Sequence, residues 1–171
     1  MSKKAAIIYF SSCLFFTLFI YFPSGLYFLN DDLIHISLSS KSEFFQRNSL
    51  RPVHDLLLQL DFKLWSKNAE GFHFTALLIH LLCSLNLYLF SYHLMQRYEK
   101  MEKHKAVIAS LMTTALFMVY AFHSEAVLWI LGRTASLCTL FFLLSLICYL
   151  KKEKSVFYLI ASLLFFHIGL F

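Results

Sequence analysis

Of 171 residues, 59% are apolar and only 15% are charged, and the mean hydropathy is +0.66. A soluble domain carries about a quarter charged residues, and a single core of this length has no room for 20 phenylalanines. This excludes the ordinary soluble enzyme. The net charge of +5 sits in short clusters between apolar runs, which reads as topology signals rather than a nucleic-acid surface.

The first apolar run, 5–23, follows "MSKK". It is long and bulky and lacks a small-x-small cleavage site, so it reads as an uncleaved first span rather than a signal peptide. An outer loop, 24–70, follows. Its opening stretch "YFLNDDLIHI" sets Asp31 beside Asp32. Adjacent carboxylates repel, and partial burial raises the pKa of one, fitting it for general-base work. Taken alone, the dipeptide is better explained as a helix N-cap or a solvated loop pair. Arg51, in "NSLRPVHD", precedes a helix whose dipole opposes a cation there, so it is either solvated or held by an anion.

From Pro52, "PVHDLLLQLDFKLW" spaces Val53, Leu56, Leu57, Leu60 and Leu64 on one helical face. With proline at its first position, 52–66 is expected to form an amphipathic helix lying in the membrane interface, anchored at headgroup depth by Trp65. "EGFHFTALLIHLL" then opens a second run, 72–94, with His73, Ala76, His80 and Ser84 on one face. His73, near the interface, is a candidate binding residue, and His80 reads as packing.

Further runs cover 106–122, 134–150 and 155–171, so about five transmembrane helices are expected. Between the third and fourth lies "AFHSEAVLWILGRTASL". As a helix it would stack Glu125, Trp129 and Arg133 at i, i+4 and i+8, with His123 at the near end. An acid and a base beside a membrane need partners, so a Glu125–Arg133 pair, or pairing of each with another span, is expected.

Nine of the fifteen Lys and Arg fall in "SKK", "QRYEKMEKHK" and "KKEK". The positive-inside bias therefore makes these segments and the N-terminus cytoplasmic, and loops 24–70 and 123–133 extracytoplasmic. Cys13, Cys83, Cys138 and Cys148 lie in apolar runs without metal-type spacing and read as small buried hydrophobes. No residue pattern indicates a metal or cofactor, although a divalent metal stays open. No phosphate loop, nucleophile elbow or HExxH is present.

In this order, "LNDDLIHI", "SLRPV", "LDFKLWSKNAEGFHFTALLIHLL" and "AFHSEAVLWILGRTASL" resemble the N-terminal part of the GT-C superfamily of polyprenyl-phosphate-sugar-dependent membrane glycosyltransferases. The likeness is greatest to the transmembrane and tetratricopeptide-repeat O-mannosyltransferases and their bacterial relatives, and it covers about 27–137. An acidic pair, an Arg-Pro, a Gly-x-His and a His-Pro-x-His-x-Glu-x-Val…Gly-Arg segment mark that group. Here Glu125, Val127, Gly132 and Arg133 match the last of these, while its His-Pro-x part is altered around Phe122 and His123.

The resemblance implies an all-α polytopic module, of which 1–171 would be one transmembrane domain and an N-terminal fragment. It also implies inverting transfer from a polyprenyl-phosphate sugar to a protein or glycan hydroxyl. Asp31 or Asp32 would deprotonate the acceptor. Arg51 and Arg133, with His73, His123 and Glu125, would bind substrate or its phosphate. Membrane lipid is the remaining expected partner, and nucleic acid is not one. The competing reading is a non-catalytic membrane scaffold, partner subunit or pseudoenzyme using the same polar groups to hold helices together.

Overall fold

A computed structural model describes residues 3–29, 31–40 and 51–170. Asn30 of the acidic stretch, and Lys41 and Arg47 with the rest of 41–50, lie outside the described residues. All regular structure among the described residues is helical. It runs α1 (Lys3–Ile20), α2 (Asp32–Ser40), α3 (Pro52–Trp65), α4 (Ala69–Arg97), α5 (Lys103–Val119), a 3-10 turn (Ala121–His123) leading into α6 (Ser124–Leu128), α7 (Arg133–Leu150), a second 3-10 turn (Lys152–Lys154) and α8 (Val156–Leu170).

Three helices, α1, α4 and α7, are long and apolar enough to cross a membrane. The α5 helix and the segment Ala121–Leu128 meet at 55°, the geometry of a broken span or of a re-entrant loop. The break falls at Tyr120, whose extended backbone (φ −68°, ψ 116°) ends the α5 ladder. At 15 residues, α8 is shorter than a full crossing. Among the described residues there are thus three candidate spans, or four if the bent pair counts as one, where the sequence led to an expectation of about five.

Helix α4 is central, flanked by α5 and α7, with α1 packed on α5 and α8 on α7. At the end of α1 the Thr17 hydroxyl donates to its own turn (Cys13 O, 2.8 Å) and to Met118 O near the end of α5 (3.2 Å). Those two helices therefore run the same way. Arg97, at the end of α4, donates to the Leu150 carbonyl closing α7 and pairs with Glu153, so α4 and α7 also run together. The three basic segments consequently share one end of the bundle, and α2, α3 and α6 occupy the other.

As expected, α3 begins at Pro52, and the face it packs inward is not the leucine stripe. His54, Leu58 and Asp61, at i, i+4 and i+7, are buried, while Leu56, Leu60 and Leu64 point outward. Leu58 packs with Ile36, Phe72 and Ile130 in a core joining α2, α3 and α4 to the segment before α7. Trp65 does not serve as a free anchor. Its ring lies over Gly71, where an added Cβ would sit 2.4 Å from ring carbons, and its Nε1 donates to Thr75 Oγ1 (3.2 Å). Ser66 makes the elbow between α3 and α4 with a left-handed backbone (φ 54°). The glycine of the Gly-x-His motif is thus a seat for an indole.

The face of α4 read from spacing is present: His73, Ala76, His80 and Ser84 are all buried. The cysteines divide. Cys13 and Cys83 are buried as expected, Cys148 is half-buried and Cys138 is exposed. None is disulfide-bonded.

Candidate active site

The paired aspartates separate into two environments. Helix α2 starts at Asp32, and its buried carboxylate accepts two backbone N–H groups, from Leu29 (Oδ2, 2.9 Å) and from Leu131 (Oδ1, 3.3 Å). Burial pushes this carboxyl up, and the two N–H donors together with the nearby His73 and Arg133 charges pull it back. One side chain therefore clips the start of α2 to the turn before α7, across 99 positions of sequence. Asp31 is exposed.

Asp31 lines a cavity of about 710 Å³ with Arg51, His54, Asp55, Trp129 and Thr134. These residues come from three places: the start of α2, the start of α3, and the turn entering α7. That turn exists because the 121–137 segment is not one helix. It breaks at Trp129, whose backbone is extended (φ −100°, ψ 122°), before restarting at Arg133. Gly132 permits the fold-back, since a Cβ there would lie 2.5 Å from the Glu125 carbonyl oxygen and 3.0 Å from the Trp129 ring. The expected stacking of Glu125, Trp129 and Arg133 is lost with the break.

Beneath the cavity lies a charged layer. Arg133 is fully buried, and its Nη1 is hydrogen-bonded to Asp61 Oδ2 in an ion pair. The other oxygen of Asp61 accepts from Thr75 (2.8 Å), which in turn accepts from Trp65. The partner of Arg133 is therefore Asp61 on α3, and not Glu125, which is exposed at the start of α6. A buried guanidinium needs a carboxylate in contact, and the helix break carries Glu125 away from it.

His73 is buried, with Nε2 3.2 Å from the Tyr27 carbonyl, and it holds the strand of chain that leads to Asp31. Glu70, three residues earlier, does similar work by accepting the Gly25 N–H at 2.8 Å. His123 sits at the α5 bend, where its Nδ1 lies 2.9 Å from the Phe117 carbonyl and its ring meets those of His80 and Phe117.

Of the seven residues singled out in the sequence, Asp31 and Arg51 meet at the cavity. Asp32, His73 and Arg133 form the buried layer behind it, and His123 and Glu125 are not among the cavity's lining. Sequence reading did not assign the site's other polar residues, among them Asp61 and His54; His54 is buried, lines the cavity, and has Nδ1 3.7 Å from Asp55. The signal of these two was a titratable group at i and i+7 in an otherwise leucine-rich helix. Among the described residues no group of three or more His, Cys, Asp or Glu could hold a metal ion.

No family model matches the chain, and no solved structure matches it. Over 121 residues, 68% of the chain, it is 32% identical to protein O-mannosyl-transferase TMTC4 of Mus musculus. The chain spans 16% of the length of that relative. All-helical among its described residues, with three helices long and apolar enough to cross a membrane, the protein has distant homology to an O-mannosyl-transferase.

Proposed function

We propose that the chain carries the acceptor-activating part of a glycosyltransferase. The enzyme would move a sugar from a polyprenyl-phosphate donor to a hydroxyl of a protein or glycan at the extracytoplasmic membrane face. The observation that carries this reading is the shared cavity. It sets an exposed carboxylate, Asp31, in the same space as a cation, Arg51, that lies 20 positions away in sequence.

In the proposed reaction Asp31 takes the acceptor's proton as its oxygen attacks the anomeric carbon. The bond from that carbon to the lipid phosphate breaks, and the phosphate departs with the electron pair. Arg51 steadies that departing charge at the cavity, where a cation aimed at developing negative charge lowers the barrier. Asp32 does not react. Its two backbone contacts fix the first turn of α2 and hence the direction of Asp31. Arg133 and Asp61 hold the floor rigid, and His73 with Glu70 secures the incoming chain.

Sidedness rests on the bundle's ends. Nine Lys and Arg gather opposite the cavity, which the positive-inside bias assigns to the cytoplasm. The outward leucines of α3 suit a bilayer interface beside the cavity, where a lipid-linked donor would arrive.

The test is transfer by the purified chain in proteoliposomes supplied with polyprenyl-phosphate sugars and hydroxyl acceptors. Product carrying the inverted anomeric configuration supports the reading. Absence of transfer from every donor, with the helices intact by circular dichroism, favours the non-catalytic scaffold.

A further inference from the structure

The cavity's polar inventory is unbalanced. Among the described residues lining it, Asp31 and Asp55 contribute carboxylates and His35 and His54 imidazoles, whereas Arg51 is the one Lys or Arg. A wall rich in acceptors suits a polyol better than a second anion, and His54 sharpens the point. Its side chain is 4% exposed. Nδ1 lies 3.7 Å from Asp55 Oδ1, and Nε2 is buried with no partner among the described residues. Nδ1, the nitrogen turned toward the Asp55 carboxylate, is the one that keeps a proton there, and Nε2 carries the bare lone pair.

Burial and the neighbouring Arg133 charge lower the imidazole pKa to about 4, so the ring is neutral at neutral pH and one of its nitrogens is a lone-pair acceptor. A lone pair repels phosphate oxygens and accepts from O–H groups. Leaving such a buried acceptor unpaired costs free energy, which a ligand hydroxyl would recover.

We propose that His54 is a specificity-determining residue whose Nε2 accepts a hydrogen bond from one hydroxyl of the transferred sugar. This rests on the glycosyltransferase reading. It assigns the sugar, rather than the lipid phosphate, to the His54 side of the cavity, with Arg51 left for the phosphate. It also accounts for the histidine of "RPVHD": a phenylalanine would fill the same space but offer no acceptor.

The experiment uses the full chain in detergent and a short-chain prenyl-phosphate mannose, with monodeoxy and monofluoro forms at each hydroxyl position. Binding is read by titration, separately from transfer. Removal of one hydroxyl should weaken wild-type binding about tenfold, the worth of one good hydrogen bond. Fluorine at that position should behave as the deoxy sugar does, because it accepts but cannot donate.

His54→Phe should bind the parent compound as weakly as wild type binds that deoxy form, and should no longer discriminate. His54→Gln, which keeps an acceptor oxygen, should restore discrimination. If the fluoro sugar binds like the hydroxyl compound, if no position matters, or if His54→Phe still discriminates, the assignment is overturned. Should His54→Phe fail to fold, the fluoro comparison on wild type and the His54→Gln result decide. Discrimination through His54 without any transfer would leave this site standing and remove the transferase reading. Transfer without such discrimination would do the reverse.

Discussion

Removing the Asp61 charge while keeping its shape leaves the Arg133 cation uncompensated inside the protein. Arg133 is fully buried and Asp61 is 1% exposed, so neither can turn to water. Breaking a buried pair by removing one partner costs about 3–5 kcal/mol, whereas replacing both by apolar groups of similar volume is often near neutral. In Asp61→Asn the amide cannot serve both neighbours as the carboxylate does: one oxygen takes Thr75 and the other takes Arg133. For a chain of this size each kcal/mol moves the midpoint by roughly 2–4 °C, so the variant should unfold about 6–20 °C earlier. Differential scanning fluorimetry in one detergent is a sufficient assay. The double variant Asp61→Leu/Arg133→Met should recover most of the loss. A midpoint for Asp61→Asn within about 2 °C of wild type, or a double variant that merely adds a second loss, would refute a buried, mutually dependent pair.

Gly71→Ala drives a methyl into the Trp65 ring, and the rigid indole cannot withdraw without giving up Thr75, so a loss of about 1–3 kcal/mol is expected, read as a lowered midpoint with altered tryptophan fluorescence. Leu58→Ala empties the core shared by α2, α3 and α4 and should cost about 2–5 kcal/mol; an unchanged midpoint would mean that core is not closed. The His54 imidazole is held at about 4 in the fold against its ordinary 6.5, so between those values the unfolded chain binds more protons. Its stabilising contribution is complete above pH 6.5 and drains away as the pH falls toward 4, by up to about 3 kcal/mol. Wild type should therefore lose more stability than His54→Gln over that window, and parallel pH curves would contradict the burial.

Periodicity made the long elements legible: α1, α4 and α7 fall within or around the expected apolar runs, α3 begins at its proline, and the His73–Ser84 face is buried. Local spacing does not say which neighbour a side chain will meet. A continuous helix across 121–137 would have joined Glu125 to Arg133. The extended backbone at Tyr120 and Trp129, one residue on each side of Ala121–Leu128, instead delivers Arg133 to a carboxylate 72 positions earlier. The leucine stripe of α3 was visible and reads as an interface face, and the fold turns Leu56, Leu60 and Leu64 outward; the stripe says nothing of the opposite face, which buries His54 and Asp61. The acidic pair was found as a pair. Only three-dimensional contacts with Leu29 and Leu131 distinguish the buried clip, Asp32, from the cavity residue, Asp31.

The central claim is that Asp31, facing the cavity, is the general base and Asp32 is its support. Sugar transfer from a polyprenyl-phosphate donor by Asp31→Asn and Asp32→Asn, with unfolding midpoints measured alongside, tests it most directly. Asp31→Asn should lose about 10²–10⁴-fold in kcat, the usual worth of a positioned base, at an unchanged midpoint and donor KM. Asp32→Asn should lower the midpoint as well as the rate. Full transfer by Asp31→Asn, or a fall in its midpoint that accounts for the lost rate, would contradict the account.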